Sequence, residues 1–140
     1  MNKILVPIDG SEHAQRALEK CKEMAVAFGS DIVLINIKNL LIPYLSYEET
    51  RSYMEMMNKN SEDMLKSAKQ LFSDIENKVE IESIEGDIAS SIIKFVEEND
   101  IDLVIMGSQG LNAGKFQGFL LGSIANKVIH SITTPILIVR

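Results

Sequence analysis

The runs Lys3 to Asp9 (KILVPID), Asp31 to Ile37 (DIVLINI), Asp102 to Gly107 (DLVIMG) and Pro135 to Arg140 (PILIVR) are short, β-branched and apolar on both faces. A strand with one wet face would alternate, so runs of this kind read as strands buried inside a parallel sheet. Val79 to Ile84 (VEIESI) does alternate, which predicts an edge strand protected by Glu80 and Glu82. Helical periods lie between them. Ala14, Leu18, Cys21, Ala25 and Phe28 recur at spacings of three and four before a stop at Gly29. Ser46 and Glu49 have capping-box spacing ahead of a long helix through Met54, Met57, Met64, Leu65, Ala68 and Leu71. Asp87 caps a third helix carrying Ile88, Ile92, Phe95 and Val96, and Ser123 caps or opens a fourth with Ile124, Ala125, Val128, Ile129 and Ile132 inward.

Parallel neighbours need long crossovers, and right-handed crossovers put helices on both faces. The alternation therefore predicts a three-layer, doubly wound α/β fold around a parallel five-stranded sheet. A chain of 140 residues fits one domain over 1–140, with no internal repeat or low-complexity segment. Lys38 to Tyr47 is the long irregular connection, and its Leu40, Leu41 and Ile42 need covering.

Charge and composition narrow the function. A net charge of −6 argues against DNA, RNA or an anionic membrane surface as the main partner, since those demand a basic face. No apolar stretch approaches the ~20 residues of a membrane helix and no secretory leader is evident. The single cysteine, Cys21, forbids an internal disulfide, and the expected location is the cytoplasm.

In open parallel sheets ligands bind beyond the carboxyl ends of the strands where strand order reverses. If the first strand lies between the second and the fourth, that point is flanked by Asp9, Gly10 and Ser11 on one side and by Gly107, Ser108, Gln109 and Gly110 on the other. The segment from Met106 to Val128 holds five glycines. Glycine suits a phosphate site because converging backbone N–H groups require torsions and a closeness of approach that a Cβ obstructs. Gly122 and Ser123 then stand at a helix N-terminus, which favours negative charge. The Walker pattern fails, because three residues and not four separate Gly110 from the pair Gly114 and Lys115, and Phe116 follows in place of Ser or Thr. GxGxxG is absent after the first and fourth strands.

The remaining pattern, Gly107, two residues, Gly110, a spacer, then Gly122 and Ser123, resembles the ATP-binding motif of the universal stress protein family. The resemblance spans the chain: PIDGS at Pro7 to Ser11, the end of the second strand at Asn36 and Ile37, DLVIMG, and TPILIV at Thr134 to Val139. It implies strand order 3-2-1-4-5, frequent homodimers, and binding of ATP or another adenine nucleotide, with Mg accompanying it, in stress or growth-arrest physiology. By position it implies that Pro7 and Asp9 lie along the nucleotide, with Asp9 at the ribose hydroxyls and the Ile37 backbone at the adenine edge. Met106, Gly107 and Gly110 would line ribose and phosphates, and Gly122, Ser123 and the Ile124 backbone would hold the phosphates. The spacer Leu111 to Leu121 has eleven residues, two more than is usual in the family. The insertion costs little closure entropy but shifts where the phosphates sit.

Plainer readings stand beside these. Cys21 lies on the inner stripe of the first helix and reads as core. His13 and His130 fall in different helices without a ligand cluster, so no metal site is expected. Met54, Met56 and Met57 read as a packed or partner-facing stripe, Lys115 as a phosphate contact or a solvated side chain, and Asp9 as a ligand or a turn former. No nucleophile and base pair, GxSxG or SGGxDS loop is present. The expected activity is therefore nucleotide-dependent regulation with at most slow ATP hydrolysis and no assigned catalytic residue. The other two readings are a homodimeric interaction module that no longer binds nucleotide and a small transferase. In the 3-2-1-4-5 order Pro135 to Arg140 is an apolar edge, which predicts a homodimer through that strand.

Overall fold

The computed structural model describes residues 1–40, 44–110 and 121–140. Strands β1 (Lys3–Pro7), β2 (Asp31–Lys38), β3 (Val79–Glu85), β4 (Leu103–Gly107) and β5 (Ile136–Val139) form one parallel sheet in the order β3-β2-β1-β4-β5. Helices α1 (Glu12–Phe28), α2 (Tyr47–Gln70), α3 (Ile88–Glu98) and α4 (Ser123–Ser131) supply the crossovers, and a 3-10 segment, Ser73–Lys78, leads into β3. The α/β class and strand order are those expected.

Side-chain parity along each strand divides the core into two layers. Ile4, Val6, Ile32, Leu34, Leu103 and Ile105 pack under α1 and α2 with Leu18, Cys21, Leu65 and Phe72. Leu5, Val33, Ile35, Ile37, Val104 and Met106 pack on the opposite face with Ile92, Val96, Ala125 and Val128 of α3 and α4. Cys21 is fully buried, and burial pushes its thiol up to about 12. Phe28 departs from the expected stripe. It occupies the last helical position before the left-handed Gly29 cap and is 60% exposed, whereas Ala17 is fully buried.

Helix starts follow the side chains that can cap them. Ser11 accepts the Ala14 N–H at 3.1 Å, Ser46 and Glu49 form a reciprocal capping box, and Asp87 accepts the Ser90 N–H at 3.0 Å. Hydrogen bonds from Ser90 hold the exposed Asp87 carboxyl below its ordinary pKa. At α4 the residue before the helix is Gly122, and Ser123 is the first helical residue, so Ser123 opens the helix instead of capping it. The edges also differ. β3 exposes Glu80 and Glu82, while every residue of β5 is half-buried and apolar. Leu41 and Ile42 lie outside the described residues.

Candidate functional site

The ladder between β1 and β4 covers Ile4 with Leu103 and Leu5 with Val104 and then stops, whereas β1 and β2 stay paired as far as Pro7 with Ile35. Pro7 carries no N–H to continue a ladder. A cleft of about 510 Å³ opens beyond this point, on the α3/α4 face of the sheet. Parity puts Pro7, Ile35, Ile37 and Met106 on its floor, and Ile88, Ile92 and Ala125 close the helix side. Pro7, Asp9, Ile37, Met106, Gly107, Gly110, Gly122, Ser123 and Ile124 all line this one cleft.

Its two polar walls come from the loop after β1 and from the start of α4. Asp9 Oδ1 accepts the Ser11 N–H at 2.9 Å. Its Oδ2 lies across from Gly110, 2.8 Å from where a Cβ on that glycine would stand. The carboxylate is therefore held by one oxygen and presents the other. On the far side Gly122 has no side chain to cap α4. The N–H groups of Ser123, Ile124 and Ala125 have no partner within the helix, as helix geometry requires.

The reason for each glycine differs from the sequence-based one in two respects. The positive backbone φ values among the described glycines belong to Gly10 (85°), Gly29 (66°) and Gly86 (150°), not to Gly107, Gly110 or Gly122. Closeness of approach, not torsion, explains the motif glycines. A Cβ on Gly107 would stand 2.7 Å from His13 Cβ and 2.8 Å from the His13 carbonyl carbon, so α1 itself demands that glycine. A Cβ on Gly122 would meet Gln109 Cα at 3.2 Å and the Ser108 carbonyl oxygen at 3.3 Å. The second correction concerns the Gly122 N–H, which donates to the Ser108 carbonyl at 2.6 Å. The donors the helix start can offer are those of the residues that follow.

Sequence reasoning put Gln109 at the reversal point without giving it a ligand role, and passed over Ile88, Ile92 and Ala125 as cleft residues. The signal was present for Ile88, which follows the Asp87 cap on the apolar face of α3. Gln109, a buried polar residue beside a motif glycine, carried a weaker one. His13 bonds Ser108 Oγ through Nδ1 at 3.1 Å, and His130 Nδ1 approaches the Asn126 carbonyl oxygen at 2.7 Å. Among the described residues no three His, Cys, Asp or Glu side chains stand together as a metal site, and no helix is long and apolar enough to cross a membrane. Lys115 and all of the spacer but Leu121 lie outside the described residues.

Comparison with known proteins places this geometry. The family model described as the Universal stress protein family matches residues 1–140. A universal stress protein of Methanocaldococcus jannaschii is 28% identical over 141 residues, covering 99% of this chain and 81% of that protein. The solved structure of UspA from Lactobacillus plantarum superimposes with a TM-score of 0.85 at 19% identity, covering 99% of this chain and 97% of that one. A universal stress protein in complex with cAMP (TM-score 0.65, 21% identity, covering 99% and 96%) shares the fold. So does one from Archaeoglobus fulgidus in complex with dAMP (TM-score 0.65, 19% identity, covering 100% and 98%). The match over the whole length, joined to the 3-2-1-4-5 sheet and the cleft at its reversal point, makes this chain a member of the universal stress protein family.

Proposed function

We propose that the chain binds an adenine nucleotide in the cleft between β1 and β4 and acts as a nucleotide-dependent regulator in stress or growth-arrest physiology, hydrolysing ATP slowly at most. The observation that carries this reading is the pairing of opposite polar walls over an apolar floor. Asp9 Oδ2 faces in from one side as an acceptor suited to ribose hydroxyls, and the uncapped start of α4 faces in from the other as a set of donors suited to phosphate. Ile35, Ile37, Ile88 and Met106 offer the base a flat apolar bed, with strand-end backbone at Ile37 to read its edge. Pro7, Gly107 and Gly110 leave room for the sugar and the first phosphate, Gly122 leaves room at the helix start, and the N–H groups of Ser123 and Ile124 receive the anionic end. Relatives that hold cAMP and dAMP support a nucleotide of this class. Mg would enter with the phosphates of ATP, which supply the ligands that no described carboxylate cluster provides. A cytoplasmic location accords with the single buried cysteine.

Thermal unfolding with ATP, ADP and AMP, each with and without Mg, tests this. A ligand at one hundred times its Kd stabilises the folded state by about 2.7 kcal/mol, so at least one nucleotide should raise Tm by several degrees. No change with any of them at saturation removes the reading.

The same reading includes a homodimer through β5. That strand is outermost, uncharged and free of proline between Ile136 and Val139, and a second copy related by a two-fold axis satisfies its open edge. Sedimentation at tens of micromolar should give a dimer that Ile138→Lys shifts toward monomer. Monomeric wild-type protein would leave the edge without this partner. Both the nucleotide reading and that of a nucleotide-free module expect this dimer, and mass spectrometry of ligand released from the purified protein separates them.

A further inference from the structure

Behind the Asp9 wall, on the opposite face of the sheet, runs a chain of side-chain hydrogen bonds. The hydroxyls of Ser83 on β3 and Ser61 on α2 lie 2.6 Å apart, Ser61 donates to Asn36 Oδ1 at 2.7 Å, and Asn36 Nδ2 donates to the Ile8 carbonyl at 2.8 Å. Ser61 and Asn36 are only 3% and 8% exposed. Each link has one possible direction. A carbonyl only accepts, so the Asn36 amide nitrogen must face Ile8, which leaves Oδ1 toward Ser61. Ser61 then spends its one proton on Asn36, and Ser83 must donate to Ser61.

The far end of this chain grips the residue before Asp9. The Ile8 N–H donates to the Ile35 carbonyl at 2.8 Å while its own carbonyl is held by Asn36, so both polar groups of Ile8 are fixed to β2. Asp9 follows immediately, with Oδ1 on the Ser11 N–H and Oδ2 over Gly110. By parity with Ile32 and Leu34, Asn36 points to the α1/α2 face, so its amide acts on the cleft through Ile8 and not by touching a ligand. Apolar side chains of like shape would hold α2 to the sheet about as well, because a hydrogen-bonded pair and its apolar replacement are often near neutral. What a satisfied polar chain adds is a single fixed arrangement.

We infer that the Ser83, Ser61 and Asn36 chain positions the Asp9 carboxylate and so sets how strongly the cleft distinguishes ribose from 2′-deoxyribose. The inference rests on the adenine-nucleotide reading. All three are positioning residues, and loss of the Ser61 proton donor frees the Asn36 amide to turn and releases Ile8.

Calorimetry of the full chain with AMP and with 2′-deoxyAMP, on wild type and Ser61→Ala, is the test. Wild type should favour AMP by about tenfold, the worth of a hydrogen bond to a charged acceptor. Ser61→Ala should bind AMP about as weakly as the deoxynucleotide, whose affinity stays within about twofold of the wild-type value. A role in stability alone would lower Tm and leave the ratio between the two ligands where it was, and that result overturns the inference. Should Ser61→Ala fail to fold, Ser83→Ala and Ser83→Thr carry the same test. The alanine should narrow the ratio and the threonine, which keeps the hydroxyl, should restore it, while equal ratios in both overturn the proposal. Wild type that binds the two nucleotides equally overturns it too, with the nucleotide reading intact. Wild type that binds neither overturns the inference, and the nucleotide reading then stands or falls with ATP and ADP in thermal unfolding.

Discussion

The two loops that flank the cleft are built in opposite ways. The loop after β1 takes its shape from polar bonds: Ile8 to Ile35 and Asn36, Ser11 N–H to Asp9, and the Ser11 hydroxyl to Ala14, with Gly10 turning at a φ of 85°. The segment after β4 takes its shape from missing side chains. Gly107 lies against His13, Gly122 against Ser108 and Gln109, and Gly110 against the Asp9 carboxylate. One wall is specified by side chains that are present and adjustable, the other by space in which no side chain fits. A substitution on the first side should therefore cost a bond, and one on the second should cost a clash whose size depends on what stands opposite.

Gly107→Ala would press hardest on this contrast. Its Cβ meets the backbone of α1, which cannot swing aside, and overpacking of this kind costs about 1–3 kcal/mol. We predict a Tm lower by several degrees even without ligand. An unchanged Tm would mean that α1 shifts freely over β4 and that the β4 side is no tighter than the β1 side.

Gly110→Val sharpens the same comparison, because its neighbour is the end of a side chain. The carboxylate can move, so the fold should survive with Tm within a degree or two. Nucleotide affinity should fall below detection in calorimetry, since the displaced Asp9 no longer presents Oδ2 and the valine occupies the cleft. Wild-type affinity in this variant would place the ligand elsewhere.

The smallest effect belongs to the β1 side. Ser11→Ala removes the cap of α1 and should cost about 1 kcal/mol, read as a shift in urea midpoint with an unchanged slope. A loss larger than that of Gly107→Ala would reverse the ordering on which the contrast rests.

How much of this was legible beforehand follows from the range of each interaction. The strands were readable because Ile4 to Val6, Ile32 to Ile35 and Leu103 to Met106 are buried on both faces, and that leaves an unbroken apolar run in the sequence. Strand ends were less so: the first was expected through Asp9, whereas β1 ends at Pro7, although the Ile8 N–H still reaches Ile35. The caps at Ser46 and Asp87 are local and were visible, and the one at Gly122 was not, because a glycine cap has no side chain to announce it. The site was legible as a set of residue types at strand ends. Why Gly107 is a glycine was not, since the answer lies with His13, and a contact between residues far apart in the chain leaves no local pattern. The Ser83, Ser61 and Asn36 chain was hidden for the same reason: two serines and an asparagine on a helix and two strands look like ordinary polar punctuation until the helix is docked.

Cys21 gives the molecule a clock. Its thiol is sealed between α1 and the sheet with a pKa raised to about 12 from an ordinary 9.0. An alkylating reagent at neutral pH can therefore reach it only when α1 lifts from the sheet, and the rate of labelling counts those openings. Alkalinity should quicken the count: the thiol's contribution is fully present below pH 9 and is lost as pH rises toward 12, because the unfolded chain ionises there while the folded one holds its proton. Because the first turn of α1 also borders the cleft at Ser11 and Ala14, a bound ligand should slow the same clock. Occupancy of the site can then be read from a single sulfur on the other face of the sheet.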